Sequence, residues 1–411
     1  INGTLNANDV TITTTDASLV INGILKANDV INDGAPGNLL INDGGQLYRT
    51  ATTLLRGKFV KNIKTPTNWE TAKDGWQLMA SPFTNEDETY TYFKQFTNGV
   101  EDYDLYKYNG SELKEWINIK DTESNGNTFG ATFVNGTGYL VAYKSTSNVA
   151  LTGTFKSGTS YTIGNLVYDA GKDLANFHLL GNPFPFNMDW SNVKGNRLVE
   201  GFAVLNENGD NYEYKTSGTI KVGEGFFIRT RAIKGTELGE PSFTHSITRG
   251  AEKETVNSLN VIATGNVGKD NVVINFAGES EGFPKLQNFN DAIATVYVQD
   301  KGANYGIYNC DENTTEVELC FNANQMGNYT ISVEDSEEFE TVILVDRFTG
   351  IETNMLLEDY TFTAMSDVNN NRFILKLAVS DQQSAVSDNF VYQSGEELID
   401  NAEDRVQIIK V

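Results

Sequence analysis

Histidine and cysteine are scarce in this chain, with 2 residues of each among 411. Imidazole is the usual general base and a common metal ligand, so only His178 and His245 could take those roles. His178 lies in the apolar strand pattern FHLLGNPF, which predicts a structural role. His245 lies in the polar stretch FTHSIT, where we expect exposure to solvent. Two cysteines without a neighbouring histidine make a poor metal site.

Long apolar runs are absent as well. No stretch of eighteen or more apolar residues occurs, so the sequence predicts no transmembrane helix. The first residues also lack the basic segment and apolar stretch of a secretory leader. We therefore expect that any signal peptide has already been removed.

Basic residues are far fewer than acidic residues in this chain. The chain has 31 basic against 55 acidic residues and a net charge of −24. Nucleic-acid partners need a basic face, so this balance argues against them. It favours a solvated, self-repelling surface, with an acidic field that steers ligands as the alternative.

Signatures of catalysis are missing too. The sequence has no G-x-S-x-G elbow, no H-E-x-x-H, no Walker loop and no dinucleotide fingerprint. The paired carboxylates of glycosidases need no motif, which keeps a secreted hydrolase open as an alternative. We expect no cofactor. Calcium is the alternative in the acidic turns 206–213, 334–340 and 366–371, although none has EF-hand spacing and Asp/Asn turn chemistry explains them.

A repeat opens the chain. INGTLNANDV at 1–10 returns as INGILKANDV at 21–30 with eight of ten positions identical, and a third copy begins with INDGG at 41. A period near twenty predicts β-solenoid rungs over residues 1–53. Each rung buries its apolar face only on a neighbour, and Ile1 begins inside a rung. We therefore expect that residue 1 is not the native start, with a short three-rung cap as the alternative.

A second kind of repeat follows. Two segments recur in a similar form about ninety to one hundred residues later. The first is GWQLMASPF at 75–83, which resembles NFHLLGNPF at 176–184, and the second is VNGTGYLVAYK at 134–144, which resembles VGEGFFIRT at 222–230. Turn residues every eight to twelve positions predict antiparallel β-sandwiches. We assign unit 1 to residues 54–155 and its duplicate, unit 2, to residues 156–245, with one joint domain of both units as the alternative.

About nine short β runs fill residues 246–379, here called unit 3, and predict an immunoglobulin-like sandwich. Cys310 and Cys320 flank a polar turn, so they could face each other across a hairpin. A disulfide in an exported protein is the first interpretation, and two reduced core thiols are the alternative. Residues 380–389 are predicted to be a linker, and strand patterning resumes at 390–411.

Aromatic residues cluster in YDLYKYNGSELKEW at 103–116. Alternation places Tyr106 and Tyr108 on one face of a strand, and Trp116 follows shortly after. Aromatic rings stack on sugars, so Tyr106, Tyr108 and Trp116 are candidate glycan-stacking residues. Packing within a sheet is the competing interpretation, because tyrosine and tryptophan are common sheet residues.

The ordered series of motifs resembles the C-terminal region of large Bacteroidetes proteins that leave through the type IX secretion system. The resemblance rests on DGGQLYR, GWQLMASPF, NGTGYLVAY, LLGNPFPFNMDW, VGEGFFIRT, GFPKLQ and VILVDRFTGIETNMLLEDYTFTA. The last stretch, FVYQSGEELIDNAEDRVQIIKV, resembles the first half of their sorting domain, so residues 390–411 would be the start of a truncated one. The resemblance implies an exported protein on the outer-membrane surface or outside the cell, with the secretion machinery as a partner.

Together these observations predict an all-β protein, with short β-solenoid rungs followed by tandem antiparallel β-sandwich domains. The predicted function is that of a non-catalytic stalk or adhesive segment that contacts surface glycans or other surface proteins. A carbohydrate-binding module of a secreted enzyme is the first alternative, and a secreted hydrolase is the second. No catalytic and no metal-binding residue is assigned.

Overall fold

The computed structural model describes residues 1–13, 16–84, 102–111, 113–121, 132–145, 147–246, 257–278, 281–365 and 368–379. The predicted linker at 380–389 and sorting-domain start at 390–411 lie outside these residues. The described chain is all-β, as predicted, and its helical residues form short 3-10 turns at Pro36–Asn38, Asp173–Asn176 and Trp190–Asn192. Within this described part, no helix is long and apolar enough to span a membrane.

The first strands pair in parallel with their own repeats. They are β1 (Thr4–Asn6), β2 (Asp9–Ile12), β3 (Leu19–Ile21), β4 (Ile24–Ala27), β5 (Asp29–Asn32), β6 (Leu39–Ile41) and β7 (Gln46–Arg49). Strand β1 pairs with β4, β2 with β5 and β3 with β6, each in a register of twenty residues, and β4 also pairs with β7. We call this set the N-terminal ladder.

Identical residues of the repeat lie above one another in the N-terminal ladder. Ile21 is in register with Ile41, and both side chains are fully buried. At the neighbouring corner the amides of Asn2, Asn22 and Asn42 form a side-chain ladder, with donor–acceptor distances of 2.8 and 2.6 Å. The repeated phrase thus specifies both the buried column and the polar corner.

Unit 1 continues the ladder without a break in the core. Its strands are β8 (Arg56–Ile63), β9 (Gln77–Met79), β10 (Tyr103–Ser111), β11 (Lys114–Asn118), β12 (Tyr139–Tyr143) and β13 (Ser147–Thr154). One sheet has the order β11-β10-β12-β9, and the other, β13-β8-β6-β3, joins antiparallel β13 and β8 to the parallel strands β6 and β3. The predicted boundary at residue 53 therefore falls within a shared hydrophobic core.

Unit 2 repeats the strand order of unit 1. Its strands are β14 (Ser160–Ile163), β15 (Phe177–Gly181), β16 (Met188–Asp189), β17 (Val193–Asn196), β18 (Phe202–Leu205), β19 (Tyr212–Lys215), β20 (Thr219–Ile220), β21 (Gly225–Arg229) and β22 (Ser242–Ser246). The sheet β15-β21-β18-β19 corresponds strand for strand to β9-β12-β10-β11 of unit 1. The repeated sequence landmarks occupy equivalent strands.

Strands β12 and β21 are buried on both faces, which explains their unbroken apolar sequences YLVAY and GFFIR. Tyr139, Val141 and Tyr143 point into the core of unit 1. Leu140 points to the opposite side of the sheet, into a separate core that also contains Phe227 of unit 2 and Ile307 of unit 3. One face of the β12 sheet, one face of the β21 sheet and one face of unit 3 therefore pack together through apolar side chains.

Unit 3 is one continuous eleven-stranded sheet that nearly closes into a barrel. Its strands are β23 (Ser258–Thr264), β24 (Lys269–Asn275), β25 (Phe283–Pro284), β26 (Thr295–Asp300), β27 (Ala303–Asn309), β28 (Glu316–Asn322), β29 (Gly327–Glu334), β30 (Phe339–Asp346), β31 (Ile351–Asn354), β32 (Tyr360–Ala364) and β33 (Val368–Val379). The pairing of β24 with β27 is parallel, unlike the antiparallel sandwich that we predicted. One core fills the interior of this sheet.

Candidate functional site

The predicted glycan-stacking residues come together on one side of unit 1. Tyr108 faces Trp116 across the pairing of β10 with β11, and their ring centroids are 5.1 Å apart. Both rings meet Phe227 of unit 2 edge to face, at 5.0 and 5.9 Å. Tyr106 packs against Trp76 at 5.9 Å. We call Tyr106, Tyr108 and Trp116 the aromatic surface.

Each side chain of the aromatic surface is half-buried. The hydroxyl of Tyr108 donates to the carbonyl of Leu174 at 2.8 Å, which fixes this ring against unit 2. Burial raises the pKa of Tyr106, so its phenol stays neutral. The three residues therefore help to pack units 1 and 2 together, and their partial exposure leaves the predicted glycan contact open.

The two histidines have structural surroundings. His178 is half-buried, and its Nε2 lies 2.9 Å from the carbonyl oxygen of Val167. His245 is fully buried and packs on Phe184 with ring centroids 5.2 Å apart. Our prediction of an exposed His245 is wrong, because β22 is the middle strand of the sheet β14-β22-β17. Burial lowers the pKa of His245 to about 4.

Cys310 and Cys320 are both free, buried thiols, so the predicted disulfide is not formed. The predicted hairpin is also wrong, because β26 lies between β27 and β28 and pairs with both. The Sγ of Cys310 lies 3.8 Å from the carbonyl of Asn275, and burial raises its pKa to about 11. This thiol therefore stays protonated and unreactive at neutral pH.

The first acidic turn, 206–213, is closed by its own hydrogen bonds. In the turn 206–213 the Asn206 amide donates to the Asp210 carboxylate at 2.6 Å, and the Asp210 N–H donates back to Asn206 at 3.2 Å. Residues 366–367 of the third turn lie outside the described chain. Throughout the described ranges, no group of three or more His, Cys, Asp or Glu residues is placed to hold a metal ion. The calcium alternative gains no support from this geometry.

Sequence patterns gave no sign of the polar seam between units 2 and 3, which consists of Tyr214, Asp270, Asn271 and Lys285. The Lys285 ammonium lies 2.6 Å from the Asp270 carboxylate, and the two side chains are 10% and 0% exposed. Lys285 also donates to the Asn271 carbonyl at 2.7 Å. Burial lowers the pKa of Lys285, and the attraction of Asp270 opposes that shift.

The side-chain amide of Asn271 makes the hydrogen bonds to the backbone of β19 that a neighbouring strand would otherwise make. Strand β19 is the edge of its sheet, so the backbone of Tyr214 has no strand partner on its outer side. The Asn271 side chain accepts from the Tyr214 N–H at 3.1 Å and donates to the Tyr214 carbonyl at 2.9 Å. An exposed strand edge invites unwanted pairing, and this amide covers it.

Units 1 and 2 are joined by reciprocal bridges. Met79 of unit 1 pairs with Glu224 of unit 2, and Thr137 pairs with Leu180. Met79 and Leu180 hold equivalent positions in the duplicated stretches, as do Thr137 and Glu224, so each unit makes the same contact to the other. The N–H of Ala80 donates to Gly223, and the equivalent N–H of Gly181 donates to Gly136.

A cleft of about 500 Å³ opens between units 2 and 3, lined by charges of both signs. Its guanidinium, Arg231, is held by two hydrogen bonds to the Glu237 carboxylate, at 2.7 and 2.6 Å. Arg229, nearby, is bound by Asp173 and Glu281 at 2.6 and 2.7 Å. These two guanidinium groups are therefore already neutralised by carboxylates of the protein.

Comparisons with protein-family models, with curated proteins and with solved structures give no match to this chain.

Proposed function

We propose that these residues form a stiff, non-catalytic segment of an exported cell-surface protein, acting as a stalk or adhesive module. The observation that carries this proposal is the pair of joints: reciprocal bridges between units 1 and 2, and buried hydrogen bonds between Tyr214 of unit 2 and Asn271 of unit 3. Domains in one chain usually meet through small, mobile contacts. Buried polar contacts at both joints favour a fixed arrangement instead.

The N-terminal ladder fits the same role as a short β-solenoid. Parallel pairing in a register of twenty residues, the buried Ile21–Ile41 column and the asparagine ladder support this assignment. Such arrays bury each rung on its neighbours and extend in one dimension. Strand β8 belongs to the sheet of unit 1 and pairs with β6, so the ladder is continuous with the rest of the stalk.

Small-angle X-ray scattering tests the stiffness. The wild-type chain should fit a single arrangement of the three units, whereas Asn271→Ala frees the edge of β19 and should broaden the distribution of dimensions. Asn313→Ala, in an exposed turn, is the matched control and should scatter like the wild type. Free reorientation of unit 3 in the wild-type protein would contradict the proposal.

Export through the type IX system is supported by the ordered resemblance of motifs and by the net charge of −24, which favours a solvated surface. The test is antibody labelling of intact native cells, compared with cells whose type IX secretion is inactivated. We expect surface signal only in the first. Equal labelling of both would show a different route, and an intracellular location would contradict the surface role.

Glycan binding is the second candidate, because the chain folds so that Tyr106, Tyr108 and Trp116 share one partly exposed surface. Trp116→Ala should abolish binding on a glycan array while the thermal midpoint stays above the assay temperature. Val167→Ala, which removes an exposed apolar side chain elsewhere on unit 2, is the control. Wild-type protein that binds nothing across a broad array would refute this candidate.

A further inference from the structure

A separate cavity of about 210 Å³ lies beside the seam, between β19 of unit 2 and the outer face of unit 3. Its floor is the sheet face formed by β29, β23 and β24, where Glu334 is in register with Asn260, and Ile262 with Asn271. Its wall is the edge of β19 and the turn that follows. Ligand pockets occur preferentially at such junctions between units.

The lining mixes hydrogen-bond donors and acceptors over a small apolar floor. The wall supplies Glu213 and Lys215, which form an ion pair at 3.0 Å. Ile262 and Val273 give apolar contact at the base. Sugars have this dual character, with hydroxyl groups at the ring edge and C–H groups on the ring face, so the lining matches their chemistry.

Three polar side chains at the rim remain available to a ligand. The Asp335 carboxylate, the Lys269 ammonium and the Ser217 hydroxyl line the cavity, and within the described residues none has a hydrogen-bond partner or an ion-pair partner. Asp335 has a φ of 57°, in the left-handed region, which aspartate adopts less often than glycine. Backbone conformations of this kind cluster at ligand sites.

The charge of the cavity restricts the ligand. The carboxylates of Glu213, Glu334 and Asp335 outnumber the ammonium groups of Lys215 and Lys269, while Asp270 is paired with Lys285. An anionic ligand would therefore be repelled. The small volume excludes long chains from the interior.

We propose that this cavity binds a single neutral sugar unit, either free or at the end of a glycan. The site is distinct from the aromatic surface, and it does not depend on the structural role, because the seam contacts are complete without a ligand. The sugar hydroxyls would pair with Asp335, Lys269 and Ser217, and its C–H face would contact Ile262.

The test uses the full chain with a panel of monosaccharides: glucose, galactose, mannose, xylose and N-acetylglucosamine, together with glucuronate and galacturonate. Binding is measured by saturation-transfer NMR and calorimetry. We expect at least one neutral sugar to bind saturably, and a uronate to bind at least about tenfold more weakly than its parent sugar. No binding by any neutral sugar would overturn the proposal.

Two variants locate the site. Asp335→Gly keeps the left-handed backbone and removes the carboxylate, and Ser217→Trp fills the mouth from an exposed position. Each should weaken binding at least about tenfold. Lys301→Gly, at another exposed position with positive φ (49°), is the matched control and should bind like the wild type. Thermal unfolding establishes that each variant is folded.

Retained binding in both cavity variants would overturn the proposal. The same conclusion follows if Trp116→Ala abolishes sugar binding while Asp335→Gly and Ser217→Trp leave it intact, because the sugar would then occupy the aromatic surface. Weakening by the cavity variants alone, with Trp116→Ala binding normally, supports the assignment.

Discussion

At the scale of single residues, two buried bases are accommodated in different ways. Lys285 keeps a carboxylate partner, Asp270, at 2.6 Å. His245 packs against the ring of Phe184, and burial lowers its pKa to about 4. Breaking a buried ion pair destabilises the folded state strongly, whereas a neutral buried imidazole destabilises it only when the ring gains a proton.

The pH dependence of stability should reflect His245. Its pKa is about 4 when folded and 6.5 in the ordinary case, so the unfolded chain binds the proton more readily. This contribution is fully present above pH 6.5 and is lost as the pH falls towards 4, to an extent of up to about 3 kcal/mol. In His245→Phe, the midpoint of urea unfolding should therefore change less with pH between these two values than it does in the wild type.

His178→Gln is the control for this measurement, because Gln77 occupies the equivalent position in unit 1. Burial lowers the pKa of His178, but its hydrogen bond to the Val167 carbonyl opposes the shift. We expect this variant to retain most of the pH dependence. A His245→Phe profile as steep as that of the wild type would contradict the assignment.

Removing the ammonium of the seam should destabilise the protein strongly. Lys285→Met leaves the Asp270 carboxylate buried without its counter-ion, at a cost of about 3–5 kcal/mol. Lys376→Met breaks an exposed ion pair with Glu352, whose side chains are 44% and 56% exposed, and should cost less than about 1 kcal/mol. Urea unfolding compares the two, and equal losses would show that the seam is not energetically special.

These residue-level features were only partly predictable. The alternation of Phe243 and His245 was a signal that both face the core, but the polar neighbours obscured it. Nothing local marks Asp270 and Lys285 as partners, because their pairing depends on how unit 3 folds around β26. The aromatic surface was predictable because Tyr106 and Tyr108 share one strand.

At the scale of elements, the N-terminal ladder depends on close backbone approach at its glycines. A Cβ at Gly23 would lie 2.3 Å from the carbonyl oxygen of Gly3, whereas a Cβ at Gly3 would meet nothing within 4 Å. The same position of the repeat is thus tightly packed in one copy and open in the other.

Gly23→Ala should therefore destabilise the N-terminal ladder by about 1–3 kcal/mol, because backbone atoms must shift to admit the methyl group. Gly3→Ala should change the stability by less than about 0.5 kcal/mol. Hydrogen exchange of the Ile24 amide, which donates to Gly3, reports the difference. Similar protection in both variants would contradict the packing described here.

The register of the ladder was predictable only where the phrase repeats. Identical segments align in a step of twenty, as in the pairing of Thr4 with Ile24. The later steps change to twenty-two at Gln46 and eighteen at Lys58. Residues 42–45 form a turn that the earlier copy lacks, and β8 enters from unit 1, so these steps depend on contacts outside the repeat.

At the scale of the whole molecule, the reciprocal bridges should couple the unfolding of units 1 and 2. A Cβ at Gly181 would lie 2.4 Å from the Cβ of Ala80 and 2.7 Å from the Thr137 carbonyl. Gly181→Val should therefore speed hydrogen exchange at the Ala80 amide of unit 1 as well as at the amide of position 181 in unit 2. Gly164→Val, in open space, is the control. Faster exchange confined to unit 2 would refute the coupling.

The sequence predicted the duplication, because the two landmarks at 75–83 and 134–144 recur in the same order and form equivalent strands. It did not predict how the copies meet. That contact joins the end of one strand to the start of another almost 150 residues away, as for Met79 and Glu224. Side-chain periodicity reports which face is buried but not which partner buries it.

The reciprocal bridges have a consequence for evolution. The backbone segments that form the bridges in each unit are paired with those of the other unit, so the pair is closed in the way that a two-fold dimer is closed. A third copy would have no unpaired bridging segment to bind. Pairing in the N-terminal ladder runs head to tail and can accept another turn without altering the others. Among relatives, the number of twenty-residue copies should therefore vary by insertion and deletion, while the two larger copies are inherited together or lost together.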